Sequence, residues 1–137
     1  MANPHKIFVN LPVQELARSM DFFHALGFSF NKQFTDEKAA CLVLGDDIFV
    51  MLLLKPFFKG FITNEVADAK QAAEAILSLS AGSREAVDII ADKALSAGGS
   101  PSKELSDIGF MYQRRFLDPD GHHWEVFYMD PGFVQAN

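Results

Sequence analysis

The spacing of hydrophobic positions changes several times along the chain, and each change marks an element. Lys6–Leu11 (KIFVNL) is rich in β-formers and reads as a strand, with Pro12 expected to end it. From Val13 the period lengthens. Leu16, Met20, Phe23, Ala25 and Leu26 fall on one helical face, which predicts a helix over Gln14–Leu26. Gly27 follows as a C-terminal glycine. Phe28–Phe34 alternates as a strand, Thr35–Lys38 is a polar turn, and Ala39–Leu44 and Ile48–Leu54 are strands joined by a hairpin at Gly45-Asp46-Asp47. The order is β-α-β-β-β.

Lys55–Ala69, with Pro56, Gly60 and many polar residues, reads as a linker or flap. The same order then returns. Ala75–Ser80 is a strand. Ser83 is an N-cap for a helix over Arg84–Ala97, whose apolar stripe is Val87, Ile90, Ala91 and Leu95, and Gly98-Gly99 ends it. Weaker strands are expected over Ser102–Leu105 and Gly109–Phe116, and a final strong one over His122–Met129. The two halves are offset by roughly 70 residues. Gly27 matches Gly98 or Gly99, and the Gly45–Asp47 turn before IFVMLL matches the Asp118–Gly121 turn before HHWEVF. The expected organisation is one domain of two modules, about residues 5–55 and 73–130, joined by a linker at about 56–72.

Composition narrows the partners. A chain of 137 residues with 49% apolar and 22% charged residues is an ordinary globular one. Its 14 Phe are unusual, and several are expected to line a pocket or an interface as well as the core. The net charge of −6, with Arg114-Arg115 as the only adjacent basic pair, argues against nucleic acid and anionic membrane. No apolar run is long enough to span a bilayer, and the opening MANPHKIFVNLPV lacks the pattern of a secretory signal. A single cysteine, Cys41, lies within AACLVL, where a buried inert thiol is the expectation. These features fit a cytoplasmic protein.

Candidate chemistry concentrates in Phe116–Tyr128, FLDPDGHHWEVFY. Pro119 presets φ for a turn, Gly121 supplies positive φ, and Asp118 and Asp120 can bond the turn backbone. Beyond it, His123, Glu125 and Phe127 share one face of a strand, and His122, Trp124, Val126 and Tyr128 the other. A carboxylate placed mid-strand among aromatics needs a partner, a metal or water. Glu125 is a metal ligand or general base on one reading, and the cross-strand partner of Arg114 or Arg115 on the other. His123 is a base or ligand, or an imidazole in a pocket wall. Met51, Met111 and Phe127 suit an apolar pocket wall or the core, and Tyr112 is a hydrogen-bonding partner of a ligand or a strand filler. No phosphate loop, nucleophile elbow or HExxH motif occurs.

The duplicated β-α-β-β-β order, KIFVNLPVQELARSMDFFHALGF at the start and DPDGHHWEVFYMD at the end together resemble the vicinal oxygen chelate superfamily. That superfamily includes glyoxalase I, bleomycin and fosfomycin resistance proteins and extradiol dioxygenases. The chain is most similar to its lactoylglutathione lyase-like subgroup. The resemblance implies an α+β fold in which two β-α-β-β-β modules form a cupped mixed sheet, a small-molecule site in the cup, and a homodimer. In the superfamily's enzymes the cup holds a divalent metal, and the glutamate of the last strand corresponds to Glu125. The other ligand positions fall near Phe8, Met51 and Ala75, none of which suits the usual metals. No cofactor is therefore expected, although Asn10, His123 and Glu125 leave room for a divalent ion. Strand alternation from Glu125 and the positions matched to the superfamily together give Phe8, Asn10, Met51, Tyr112 and Phe127 as ligand contacts, with His123 and Glu125 as the catalytic candidates. The leading expectation is a binding protein that works without the usual metal. The alternative is a metal-dependent lyase or dioxygenase that uses Glu125 as ligand and base.

Overall fold

A computed structural model describes residues 2–103 and 106–132 of the chain. The chain divides into two compact units, Met1–Asp68 and Ala69–Asn137. The first unit runs β1 (Ile7–Val13), α1 (Leu16–Ala25), β2 (Ser29–Asn31), a 3-10 turn at Lys32–Phe34, β3 (Ala39–Gly45), β4 (Ile48–Leu54) and α2 (Lys55–Lys59). Its sheet has the order β1-β4-β3-β2, with β1 parallel to β4 and the other pairs antiparallel.

Helix α1 buries Ser19, Phe22 and Phe23. The sheet face beneath it carries Leu11, Ala40, Leu42, Val50 and Leu52, all buried. His24 meets Phe30 edge-on at 5.1 Å at the margin of this layer. Phe8, Asn10, Cys41 and Met51 alternate onto the opposite face.

Three local expectations are corrected here. Pro12 does not end β1, which continues to Val13. The strand lies at a sheet edge, where a residue without an N–H costs no ladder bond on its outer side. The strand expected over Phe28–Phe34 stops at Asn31, because side chains turn the backbone. Asn31 Oδ1 accepts from Gln33 N at 2.9 Å, and Thr35 Oγ1 donates to Asn31 O at 2.7 Å while accepting from Cys41 N at 3.0 Å. The segment read as a linker opens with a short helix, α2, which has Pro56 in its first turn, where the missing N–H is harmless.

The second unit runs β5 (Ile76–Ser80), α3 (Arg84–Ser96), β6 (Ser100–Pro101), β7 (Ser106–Asp107), β8 (Met111–Leu117) and β9 (His123–Met129). Its sheet has the order β5-β9-β8-β6, and β7 also pairs with β8. Again the first strand is parallel to the last, and the last is antiparallel to its predecessor. The weak strand expected over Ser102–Leu105 lies partly outside the described residues. β6 and β7 flank it. Ser83 Oγ accepts from Ala86 N at 3.0 Å and caps α3. Gly27 and Gly98 follow α1 and α3 with φ of 98° and 109°, the left-handed step that closes a helix.

Val87, Ala91 and Ala94 of α3 are buried, as are Phe116, Trp124 and Val126 on the sheet face that α3 covers. The Phe116 and Trp124 rings lie parallel at 6.5 Å. The fold is α+β, two mixed sheets, one covered by α1 and the other by α3. Among the described residues no helix is long and apolar enough to cross a membrane.

Candidate functional site

The Asp118–Gly121 turn sets which side of β9 faces out. Asp118 is buried, and Oδ1 accepts from Asp120 N and His122 N, both at 3.0 Å. Oδ2 accepts from the indole Nε1 of Trp124 at 3.0 Å. The turn closes with Gly121 N donating to Asp118 O at 2.9 Å and Asp118 N donating to His122 O at 3.0 Å. Burial pushes the Asp118 carboxyl above its ordinary pKa, opposed by His122 and by these donors. With the indole tied inward, alternation turns His123, Glu125 and Phe127 to the face away from α3.

Register then supplies the neighbours of Glu125. Arg115 of β8 is directly opposite on one side and Ser78 of β5 on the other. Glu125 Oε2 accepts from Arg115 Nε at 2.8 Å, and Oε1 accepts from the Ser78 hydroxyl at 3.0 Å. Arg115 Nη2 donates to Gln113 Oε1 at 2.7 Å. The side chains of Arg115 and Glu125 are 30% and 14% exposed, so the pair is partly desolvated and still reachable. Of the two arginines weighed from sequence, Arg115 is the partner. Arg114 points to the α3 side and bonds Asp88 at 3.1 Å and Asp92 at 2.7 Å.

Tyr112 is a correction. It sits opposite Tyr128, on the α3-covered face, and its hydroxyl donates to Asp88 Oδ1 at 2.6 Å. That bond holds the phenol above its usual pKa. Tyr112 therefore does not share the face of Glu125, because its place in β8 is one residue out of phase with Arg115 and Gln113.

In the first unit, Phe8, Asn10 and Met51 do share a face. Phe8 stacks on Phe49 at 4.6 Å and 12°. Asn10 Nδ2 donates to Phe8 O at 3.4 Å. Met51 lies between Asn10 and Cys41, whose thiol burial pushes its pKa up. This Cys41 is a buried thiol without thiolate character. The expected set thus divides into Phe8, Asn10 and Met51 on one unit and His123, Glu125 and Phe127 on the other.

Sequence reasoning did not single out Ser78 or Gln113. The signal for Ser78 was present in the alternation of ILSLS, which puts Ser78 and Ser80 on one face of β5 with Ile76, and Leu77 and Leu79 on the other. Among the described residues no group of three or more His, Cys, Asp or Glu side chains is arranged to hold a metal ion. The acceptor capacity of Glu125 is engaged by a cation and a hydroxyl.

Residues 7–126 match the family profile of the Glyoxalase/Bleomycin resistance protein/Dioxygenase superfamily. The chain belongs to this superfamily. A comparison with curated proteins finds no match. Among solved structures, hypothetical protein SA1046 from S. aureus is similar at 28% identity and a TM-score of 0.78, covering 93% of this chain and 95% of that one. A glyoxalase/bleomycin resistance protein/dioxygenase family enzyme from Burkholderia phytofirmans PsJN shares the fold at 16% identity and a TM-score of 0.74, covering 89% and 96%. TnmS3, an antibiotic binding protein from Streptomyces sp. CB03234, shares it at 18% identity and a TM-score of 0.66, covering 95% and 99%.

Proposed function

We propose that this superfamily member binds a small organic molecule and does so without the divalent metal of its enzymatic relatives. The observation that carries the reading is the state of Glu125. Its two oxygens are satisfied by Arg115 and Ser78. A metal would have to displace a guanidinium from a partly desolvated ion pair, and among the described residues it would gain no set of three or more His, Cys, Asp or Glu side chains. The expected companion positions hold Phe8, Met51 and Ala75, whose side chains do not suit the usual divalent ions. The donor set therefore does not fit the group, and no reaction step is assigned to one.

The antibiotic-binding description of TnmS3, a protein of the same fold, supports a binding role. Half-buried Phe127 and His123 offer ring faces beside the polar Glu125 rung, the mixed composition of a small-molecule site. Within this reading the protein is cytoplasmic and works as a homodimer. Strands β1 and β5 are sheet edges carrying exposed Ile7 and Ile76, which supports association.

The test has two arms. Protein purified without chelator is analysed for metal, and sub-stoichiometric zinc, nickel, iron and manganese are expected. A stoichiometric ion that disappears in Glu125→Ala would restore the lactoylglutathione lyase-like or dioxygenase reading. In the second arm a panel of aromatic antibiotics is screened by calorimetry. Phe127→Ala should weaken a hit by about tenfold, the value of roughly 1.4 kcal/mol of lost ring contact. Equal affinity in wild type, Phe127→Ala and His123→Ala would move the site elsewhere.

A further inference from the structure

We infer that Arg115 is the residue that anchors the ligand on this sheet face, and that the ligand is a small organic carboxylate with an apolar body. The inference rests on the binding role just proposed and specifies its chemistry.

A guanidinium has five N–H donors. Glu125 takes the one on Nε, and Gln113 takes one on Nη2. Among the described residues no other acceptor meets Arg115, which leaves three donors, including both on Nη1. The side chain is held on two sides by these bonds, so its rotamer entropy is already lost before a ligand arrives. Planar N–H pairs match a carboxylate bidentately, and a neutral carbonyl uses half of that geometry. At 30% exposure the guanidinium remains within reach while being dry enough for a charge-assisted bond to count.

The surroundings determine the rest of the ligand. On this face of β5, β8 and β9, Glu125 is the one acidic side chain, and its charge is already matched by Arg115. An incoming monoanion therefore shares Arg115 with Glu125 and bonds the guanidinium donors that Glu125 and Gln113 leave. The adjoining rungs carry Leu117, His123 and Ile76 on one side and Gln113, Phe127 and Ser80 on the other, so the apolar Leu117, Ile76 and Phe127 alternate with an imidazole, an amide and a hydroxyl. Neighbouring rungs are about 6.8 Å apart along a strand, so a body the size of one ring reaches them from the Arg115 rung. Phosphate would bring more charge and nothing to cover those apolar side chains.

The experiment is a titration of nitrogen-15-labelled protein, following the Arg115 Nε–H resonance, identified by its loss in Arg115→Lys. The probes are sodium benzoate, benzamide and inorganic phosphate. Benzoate is expected to shift the resonance saturably, with at least tenfold weaker effects from benzamide and phosphate. Arg115→Gln, shown folded by circular dichroism, should lose at least tenfold in benzoate affinity measured on backbone resonances. An Arg115 signal that benzoate leaves unmoved overturns the inference even if the variant fails to fold. Equal affinity for benzamide or for phosphate overturns the ligand class. A hit from the antibiotic panel that binds normally to Arg115→Gln overturns the anchoring role and leaves the binding function standing. A retained metal ion overturns both.

Discussion

Trp124→Phe tests the device that aims β9. The indole is 1% exposed, and its Nε1 donates to Asp118 Oδ2 at 3.0 Å inside the buried turn. Phenylalanine keeps an aromatic ring beside Phe116 but removes the donor. A hydrogen bond to a charged group contributes about 1.5–3 kcal/mol. The lost part of the bicyclic ring adds about 1 kcal/mol of burial and cavity cost. The expected loss is thus about 3 kcal/mol, a large share of the stability of a domain this size. Urea unfolding followed by far-ultraviolet circular dichroism measures it, since the substitution removes the chain's one tryptophan. The pH dependence supplies a second reading. Burial already raises the Asp118 pKa, so ionising it costs folded-state stability as pH rises above the unfolded value of about 3.9. Losing the indole donor raises that pKa further. The penalty of Trp124→Phe should therefore be larger at pH 7 than at pH 3. A double-mutant cycle with Asp118→Asn isolates the bond. A coupling energy near zero, or a loss below about 1 kcal/mol at pH 7, would refute the assignment of Asp118 and Trp124 as the lock.

Two further expectations concern the second unit. Gly121→Ala should destabilise by more than about 2 kcal/mol and clearly more than Gly98→Ala, as read by denaturant midpoints. Both glycines have positive φ, but a Cβ at Gly121 would meet Lys70 Cγ at 2.9 Å and Lys70 N at 3.2 Å, while one at Gly98 meets nothing within 4 Å. Equal losses at the two sites would contradict this. Asp107 is held below the ordinary carboxylate pKa by the hydrogen bond from Arg84 and then by the Gly109 amide. Its contribution is present above the unfolded value of about 3.9 and is lost as pH falls through the lower folded value. In wild type minus Asp107→Asn, the stability difference should shrink over that acid window, and a flat difference would sink the account.

The alternation of HHWEVFY was enough to place His123, Glu125 and Phe127 on one face, because period-two patterning is a local property of an extended chain. The repeated β-α-β-β-β order was legible for the same reason, in the stripes of α1 and α3, the glycines that close them, the apolar run of β4 and the alternation of β9. Ser83 could be read as a cap because capping acts within one turn. What the local pattern misjudged was also local in cause but needed distant partners to resolve. Pro12 is tolerated because β1 became an edge, and Asn31 turns the chain with help from Thr35 and the amide of Cys41.

The candidate site depended on register, which no single strand contains. Arg114 and Arg115 are indistinguishable as neighbours in sequence. A one-residue difference in pairing sends the first to Asp88 and Asp92 and the second to Glu125. The same phase carries Tyr112 to the α3 side. Ser78 reaches Glu125 across 47 positions of sequence only because β5 and β9 are parallel neighbours. Sequence alone therefore determined the elements, their order and the outward carboxylate. Tertiary pairing alone decided what that carboxylate touches, since cross-strand contacts are set by long-range hydrogen-bond register and not by the residues adjacent in the chain.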